Sequence, residues 1–149
     1  MSDWLEHSEQ VEAPISAEAA WALWADIEKM PQWMNWIESV TLSDVDPEIS
    51  RWKLASGTFE FAWQARTFKK IPGQIIQWES VDGLPNRGAI RFYDRKEKGC
   101  CIVKMSIAYQ APGILALMDN LFLGQMVEAN IRGDLERFCE IARSHHGVG

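Results

Sequence analysis

A run of strands followed by one long helical segment is the feature that most restricts the fold of this chain. From Val40 to Tyr109 the sequence consists of short segments that favour strands, separated by turns such as Pro72-Gly73. Helical spacing then extends from Ile114 to about Ser144 and is clearest at Ile131, Leu135, Phe138 and Ala142. A sheet of this length must curl around the single helix to cover its apolar stripe.

The segment before these strands predicts one further strand and two short helices. Leu5–Ala13 has the pattern of a weak strand and ends at Pro14. Ser16 is a good N-cap for a helix that Pro31 should end, and a short helical turn with Trp33 and Trp36 should follow. We therefore predict one α+β domain over residues 1–149, in which a curved antiparallel sheet of about six or seven strands wraps around a long C-terminal helix. Such an arrangement leaves an apolar gap, which is a natural ligand pocket.

Composition argues against several classes of protein. The formal charge of −6, with Lys and Arg scattered along the chain, argues against nucleic acid as a partner, because phosphates require a basic face. No apolar run approaches about 18 residues, so no transmembrane segment is predicted. The acidic start of the chain lacks a signal-peptide core, and we expect a cytoplasmic protein. The three cysteines do not suggest a disulfide framework, and we predict no metal and no cofactor. The sequence does not predict an oligomeric state.

The chain contains eight tryptophans, which is more than a core of this size usually needs. Each carries about 200 Å² of mostly apolar surface. One interpretation is a core rich in tryptophan. The other is a cavity that several of the indole rings line.

The stretch from Gly57 to Gly83 predicts which side chains face the interior. Its first strand has Phe59, Phe61, Trp63, Ala65 and Thr67 on one face and Glu60, Ala62, Gln64 and Arg66 on the other. An antiparallel sheet usually buries one face, so the apolar set should turn inward. A hairpin centred on Pro72-Gly73 would then place Arg66 outside, opposite Glu79, in a cross-strand ion pair, and Thr67 opposite Trp78.

Four stretches resemble the START-like (SRPBCC) superfamily, in its polyketide cyclase/dehydrase group, which also includes the coenzyme Q-binding proteins. They are EAPISAEAAWALWADIEKMPQW, IIQWESVDGLPNRGAIRF, MSIAYQAPG and IRGDLERFCEIA. The resemblance covers nearly the whole chain and implies a helix-grip fold with a hydrophobic ligand between the sheet and the last helix. Members of the superfamily include cyclases and lipid carriers, so the fold by itself does not choose the chemistry.

The resemblance gives Arg66 a second interpretation. Aromatic polyketide cyclases are thought to use an arginine on this strand, inside the pocket, as an acid or to polarise a carbonyl. Counting back from Gly83 puts Arg66 at that position, whereas alignment on Phe61 and Trp63 puts Thr67 there. Arg66 is thus the one catalytic candidate, with a surface ion pair as the alternative.

The fold and the strand pattern together select the candidate ligand-binding residues. They are Trp33, Trp36, Phe61, Trp63, Thr67, Trp78, Phe92, Met105, Tyr109, Met118 and Phe122. We expect them to bind a hydrophobic, ring-containing small molecule that is polyketide-, quinone- or lipid-like, and cyclase or dehydratase activity stays open. The alternatives are a non-enzymatic carrier or chaperone for a quinone or lipid, and an interaction module with a packed interior.

Overall fold

A computed structural model describes residues 4–57, 59–111, 113 and 120–148, apart from the side chains of residues 120–122 and 145–148. Within this part of the chain, seven strands form one antiparallel sheet in the order β1-β7-β6-β5-β4-β3-β2. The strands are β1 (Leu5–Ala13), β2 (Ile37–Leu42), β3 (Ile49–Ser56), β4 (Phe59–Ile71), β5 (Ile75–Gly83), β6 (Asn86–Arg95) and β7 (Cys100–Tyr109). The helices are α1 (Ala17–Ala25), α2 (Asn120–Val148) and two 3-10 helices, Ile27–Gln32 and Lys96–Lys98.

The predicted fold class is confirmed. The sheet curls, and α2 lies against its concave face. Ile131, Leu135 and Phe138 are buried, as the helical spacing predicts. Among the described helices, none combines the length and the hydropathy that a membrane span requires.

The region around α1 differs from the prediction in its boundaries. Ser16 caps α1, because its Oγ accepts a hydrogen bond of 3.1 Å from the backbone N–H of Ala19. The helix ends at Ala25 and not at Pro31, since Asp26 has a low helix preference and leaves the helical conformation (φ −84°, ψ 78°). Pro31 lies inside the following 3-10 helix, and the helical turn expected after it is replaced by a turn that leads into β2.

The hairpin between β4 and β5 has the predicted pairing at its centre. Arg66 is opposite Glu79 and Thr67 is opposite Trp78. The turn is one residue longer than expected, because Ile71 pairs with Ile75 around a glycine at φ 75°. A bulge between Thr67 and Lys69 adds one residue to β4 and so offsets the longer turn. Beyond the bulge, Thr67 and Arg66 therefore have the partners that the sequence predicts.

An aromatic cluster fills one part of the concave face. Trp24 comes from α1, Trp33 follows the 3-10 helix, and Phe138 lies on α2. Their ring centroids are 5.1 to 5.3 Å apart, within the range of favourable aromatic contacts. All three side chains are buried. This cluster fastens the N-terminal helices to α2 and leaves the other part of the concave face to the cavity.

Candidate ligand-binding cavity

A cavity lies between α2 and the inner face of the sheet, from β2 to β7. The volume that the centre of a water-sized sphere can occupy in this cavity is about 150 Å³. Its walls are mainly aliphatic and aromatic side chains, and the polar or hydroxyl-bearing side chains among the described lining residues are Ser56, Asn86, Tyr109, Asn130 and Asp134. An apolar cavity with a few polar groups has the character of a small-molecule site.

Three tryptophans form a stack along one wall. Trp52 on β3 is opposite Trp63 on β4, and their ring centroids are 5.9 Å apart with planes inclined by 12°. Trp78 on β5 lies 5.9 Å from Trp52 with an inclination of 19°. The wall therefore presents nearly parallel indole rings from three neighbouring strands.

Hydrogen bonds and a glycine fix two of these rings. The indole N–H of Trp52 donates to Oγ of the buried Ser50 at 2.8 Å, and that of Trp78 lies 3.4 Å from Oδ1 of Asn86. Gly88 is opposite Trp78, and a Cβ there would lie 2.4 Å from the indole, so this position requires glycine. The buried indole N–H of Trp63 has no hydrogen-bond partner among the described residues.

Asp134 on α2 is the one ionisable carboxyl among the described lining residues. Its Oδ1 accepts hydrogen bonds from the backbone N–H of Asn35, at 2.9 Å, and from the guanidinium of Arg137. Burial raises the pKa of the Asp134 carboxyl, and the bonds from Asn35 and Arg137 oppose that rise. Arg137 also donates to the carbonyl oxygen of Trp33 at 3.0 Å. Asp134 therefore joins α2 to the segment before β2.

Comparison with known proteins identifies the family. The family model described as polyketide cyclase / dehydrase and lipid transport matches residues 13–133. The chain belongs to this family. No curated protein sequence matches this chain.

Solved structures similar to this family member share its fold. The Zhui aromatase/cyclase from Streptomyces sp. R1128 has a TM-score of 0.72 at 14% identity, and the match covers 95% of this chain and 94% of that chain. A START superfamily protein from Mycobacterium smegmatis has a TM-score of 0.74 at 12% identity, with coverages of 93% and 97%. A Deinococcus radiodurans protein has a TM-score of 0.72 at 23% identity, with coverages of 91% and 95%. At such low sequence identity, these matches show that the fold is shared, but they do not show a shared function.

Six of the candidate ligand-binding residues line the cavity: Trp36, Phe61, Trp63, Trp78, Met105 and Tyr109. Three others lie elsewhere. Trp33 packs in the aromatic cluster, Phe92 is buried away from the cavity wall on β6, and Thr67 is half-buried on β4 beyond the stack. Met118 lies outside the described residues, and Phe122 lies on α2 with a side chain that is not described.

Arg66, the catalytic candidate, lies on the outer side of the sheet. Its guanidinium contacts Oε2 of Glu48 at 2.8 Å and Oδ2 of Asp46 at 3.4 Å, and it is not among the residues that line the cavity. The partner predicted from the hairpin was Glu79, but the turn between β2 and β3 reaches the guanidinium instead. The family resemblance implied that Arg66 lies inside the pocket, but its side chain lies on the outer side of the sheet.

The lining also contains residues that the sequence interpretation did not select. Trp52, Leu54 and Ser56 alternate on one face of β3, so the same strand pattern that selected Trp63 could have found them. Asp134 is a charged residue three positions after Ile131 in an otherwise apolar stripe, which is the signal for a functional or structural polar group.

The described residues contain no group of three or more His, Cys, Asp or Glu side chains that could hold a metal ion. The three cysteines are buried and unpaired with one another. Burial raises the pKa of the Cys101 thiol to about 11, so this thiol is a poor nucleophile at neutral pH.

Proposed function

We propose that this protein binds a hydrophobic, ring-containing small molecule of the polyketide or quinone type in the cavity between the sheet and α2. The observation that carries the proposal is the stack of Trp52, Trp63 and Trp78. Indole faces favour flat rings, and each offset contact contributes about 0.5–1.5 kcal/mol beyond burial. A saturated acyl chain of the same area gains the burial but not this contribution.

Polar side chains in the cavity wall favour a ligand that carries oxygen. Asn86, Tyr109 and Asn130 contribute an amide or a hydroxyl group to an otherwise mainly apolar lining. A carbonyl or phenolic oxygen on the bound ring can exchange hydrogen bonds with such groups. Oxygenated rings, such as those of quinones and aromatic polyketides, therefore suit the cavity better than a plain hydrocarbon.

Two other functions agree less well with the cavity. An interaction module with a packed interior does not account for the open volume of about 150 Å³ beside the stack. Catalysis by Asp134 is disfavoured because its carboxylate is held by Asn35, Arg137 and Asn130. Binding is therefore the function that the described lining residues support best, and a carrier role follows from it without further chemistry.

Tryptophan fluorescence tests this proposal. A short-tailed quinone should quench the emission saturably, because four tryptophans line the cavity, and a saturated fatty acid of similar area should bind more weakly. Free tryptophan titrated with the same ligands provides the correction for non-specific quenching. If neither ligand binds saturably, the packed interaction module becomes the better interpretation.

A further inference from the structure

Three polar side chains from different elements meet beside the cavity. His7 lies on β1, with Nε2 3.2 Å from the hydroxyl oxygen of Tyr109 on β7 and Nδ1 3.2 Å from Oε1 of Glu128 on α2. The rings of His7 and Tyr109 stack with centroids 5.7 Å apart. Gly124 presents no side chain to the imidazole, and a Cβ there would lie 3.3 Å from Cε1 of His7. The imidazole is thus held through both of its nitrogens.

These three groups connect the cavity to solvent. Tyr109 lines the cavity, the His7 side chain is 8% exposed, and the Glu128 side chain is 41% exposed. Burial, with a smaller contribution from the charge of Glu128, raises the pKa of Tyr109 to about 12. The phenol therefore keeps its proton at neutral pH and can take part in proton exchange as a neutral group.

We propose that Glu128, His7 and Tyr109 form a proton relay that binds an oxygen atom of the ring-bearing ligand at the Tyr109 hydroxyl. This proposal rests on the proposed function, because it requires a ligand in the cavity. It goes further because it assigns a polar anchor for the ligand, the Tyr109 hydroxyl, and an acid–base group, the relay itself. Neither Arg66 nor Asp134 supplies these functions.

The protonation state of His7 sets what Tyr109 offers to the ligand. In neutral His7, Nδ1–H donates to Glu128, and Nε2 accepts from the hydroxyl of Tyr109. The phenolic oxygen then accepts a hydrogen bond from a ligand hydroxyl. In protonated His7, Nε2–H donates to the phenolic oxygen, and the Tyr109 O–H turns to donate to a ligand carbonyl.

The relay can also move a proton, with atoms and charge in balance. The O–H bond of an enol or phenol ligand breaks, and its proton passes to the oxygen of Tyr109. The original proton of Tyr109 passes to Nε2 of His7. The bonding electron pair stays on the ligand as an oxyanion, and the Glu128 carboxylate stabilises the imidazolium. The reverse steps return the proton to the ligand.

Other charged groups near the relay are already engaged. Glu9, two residues after His7 on β1, pairs with Arg132, four residues after Glu128 on α2, at 3.4 Å. Asp134 is held by Arg137 and Asn35. These groups remain in every variant used below, so a change caused by the relay can be separated from their effects.

Equilibrium dialysis with 2-naphthol and naphthalene tests the anchor, because the two probes differ in one hydroxyl. Tyr109→Phe should lower the affinity for 2-naphthol about fivefold relative to naphthalene, which corresponds to one hydrogen bond. Tyr93→Phe, the same change at an exposed tyrosine, should leave the ratio unchanged. An unchanged ratio in Tyr109→Phe, with both probes still bound, would overturn the relay and leave the proposed function standing. Failure of both probes to bind the wild-type protein would overturn the proposed function and the relay together.

A ketone probe tests the role of His7. The wild-type affinity for 2-tetralone should rise about fivefold as the pH falls from about 8 to about 5. His7→Gln should abolish this rise, and so should Tyr109→Phe, whereas Glu128→Gln should reduce it. The other two histidines remain in all three variants. The relay would be refuted by a wild-type affinity that does not depend on pH, or by the same rise in His7→Gln.

Discussion

Replacing Phe138 with alanine should lower the free energy of unfolding by about 3–5 kcal/mol. Phe138 is fully buried, and its ring contacts both Trp24 and Trp33. Truncation removes these contacts and leaves a cavity where α2 meets the N-terminal helices, a site that the surrounding indoles are too rigid to refill. Urea denaturation, followed by far-UV circular dichroism, measures the loss.

Phe68→Ala is the matched control for this prediction. Phe68 is 51% exposed and lies at the bulge of β4. The same loss of a ring should there cost less than about 1 kcal/mol, as is usual for surface positions. Equal losses at Phe138 and Phe68 would contradict the packing of α2 against the aromatic cluster.

Trp52→Ala should lower the affinity for a short-tailed quinone about tenfold or more, since it removes apolar area and both ring contacts of the stack. The affinity for a saturated fatty acid should fall less, because the acyl chain loses area alone. Isothermal titration calorimetry measures both affinities without relying on the fluorescence of the altered tryptophans.

Two variants control for general damage in this experiment. Trp4 is partly exposed beneath the guanidinium of Arg87, and Trp4→Ala should bind both ligands as the wild type does. Arg66→Ala removes the two exposed ion pairs with Asp46 and Glu48 on the outer side of the sheet. It should cost less than about 1 kcal/mol of stability and leave binding unchanged. If the quinone and the fatty acid lose affinity equally in Trp52→Ala, the indole is ordinary wall material. A strong loss of binding in Arg66→Ala would return Arg66 to the list of functional residues.

The strands could be predicted from sequence because alternation determines which face of a half-buried strand is apolar. The face that carries Phe61 and Trp63 was found in this way. The partner of Arg66 could not be found, because it depends on where the turn between β2 and β3 approaches β4. A count along one hairpin contains no information about a neighbouring turn.

The two tryptophans after Pro31 show a similar limit. Trp33 and Trp36 are three residues apart, yet Trp33 packs in the core and Trp36 lines the cavity. The directions of the two side chains depend on the 3-10 helix and on the turn into β2. Both segments are too short for a repeating apolar pattern to predict which side chains face inward. The relay of His7, Tyr109 and Glu128 joins residues more than 100 positions apart, and a single sequence gives no sign of this contact.

The indole N–H signals of the ¹⁵N-labelled protein test the central claim most directly, because each of the eight tryptophans gives one resonance. Single Trp→Phe variants assign these resonances. Titration with a short-tailed quinone should shift the signals of Trp52, Trp63 and Trp78 saturably and with one common dissociation constant. The signals of Trp4 and of Trp21, whose N–H already donates to the carbonyl of Ile75 at 3.1 Å, should stay in place. Shifts confined to Trp4 and Trp21, with the three stacked indoles unchanged, would contradict a ring-binding cavity between the sheet and α2.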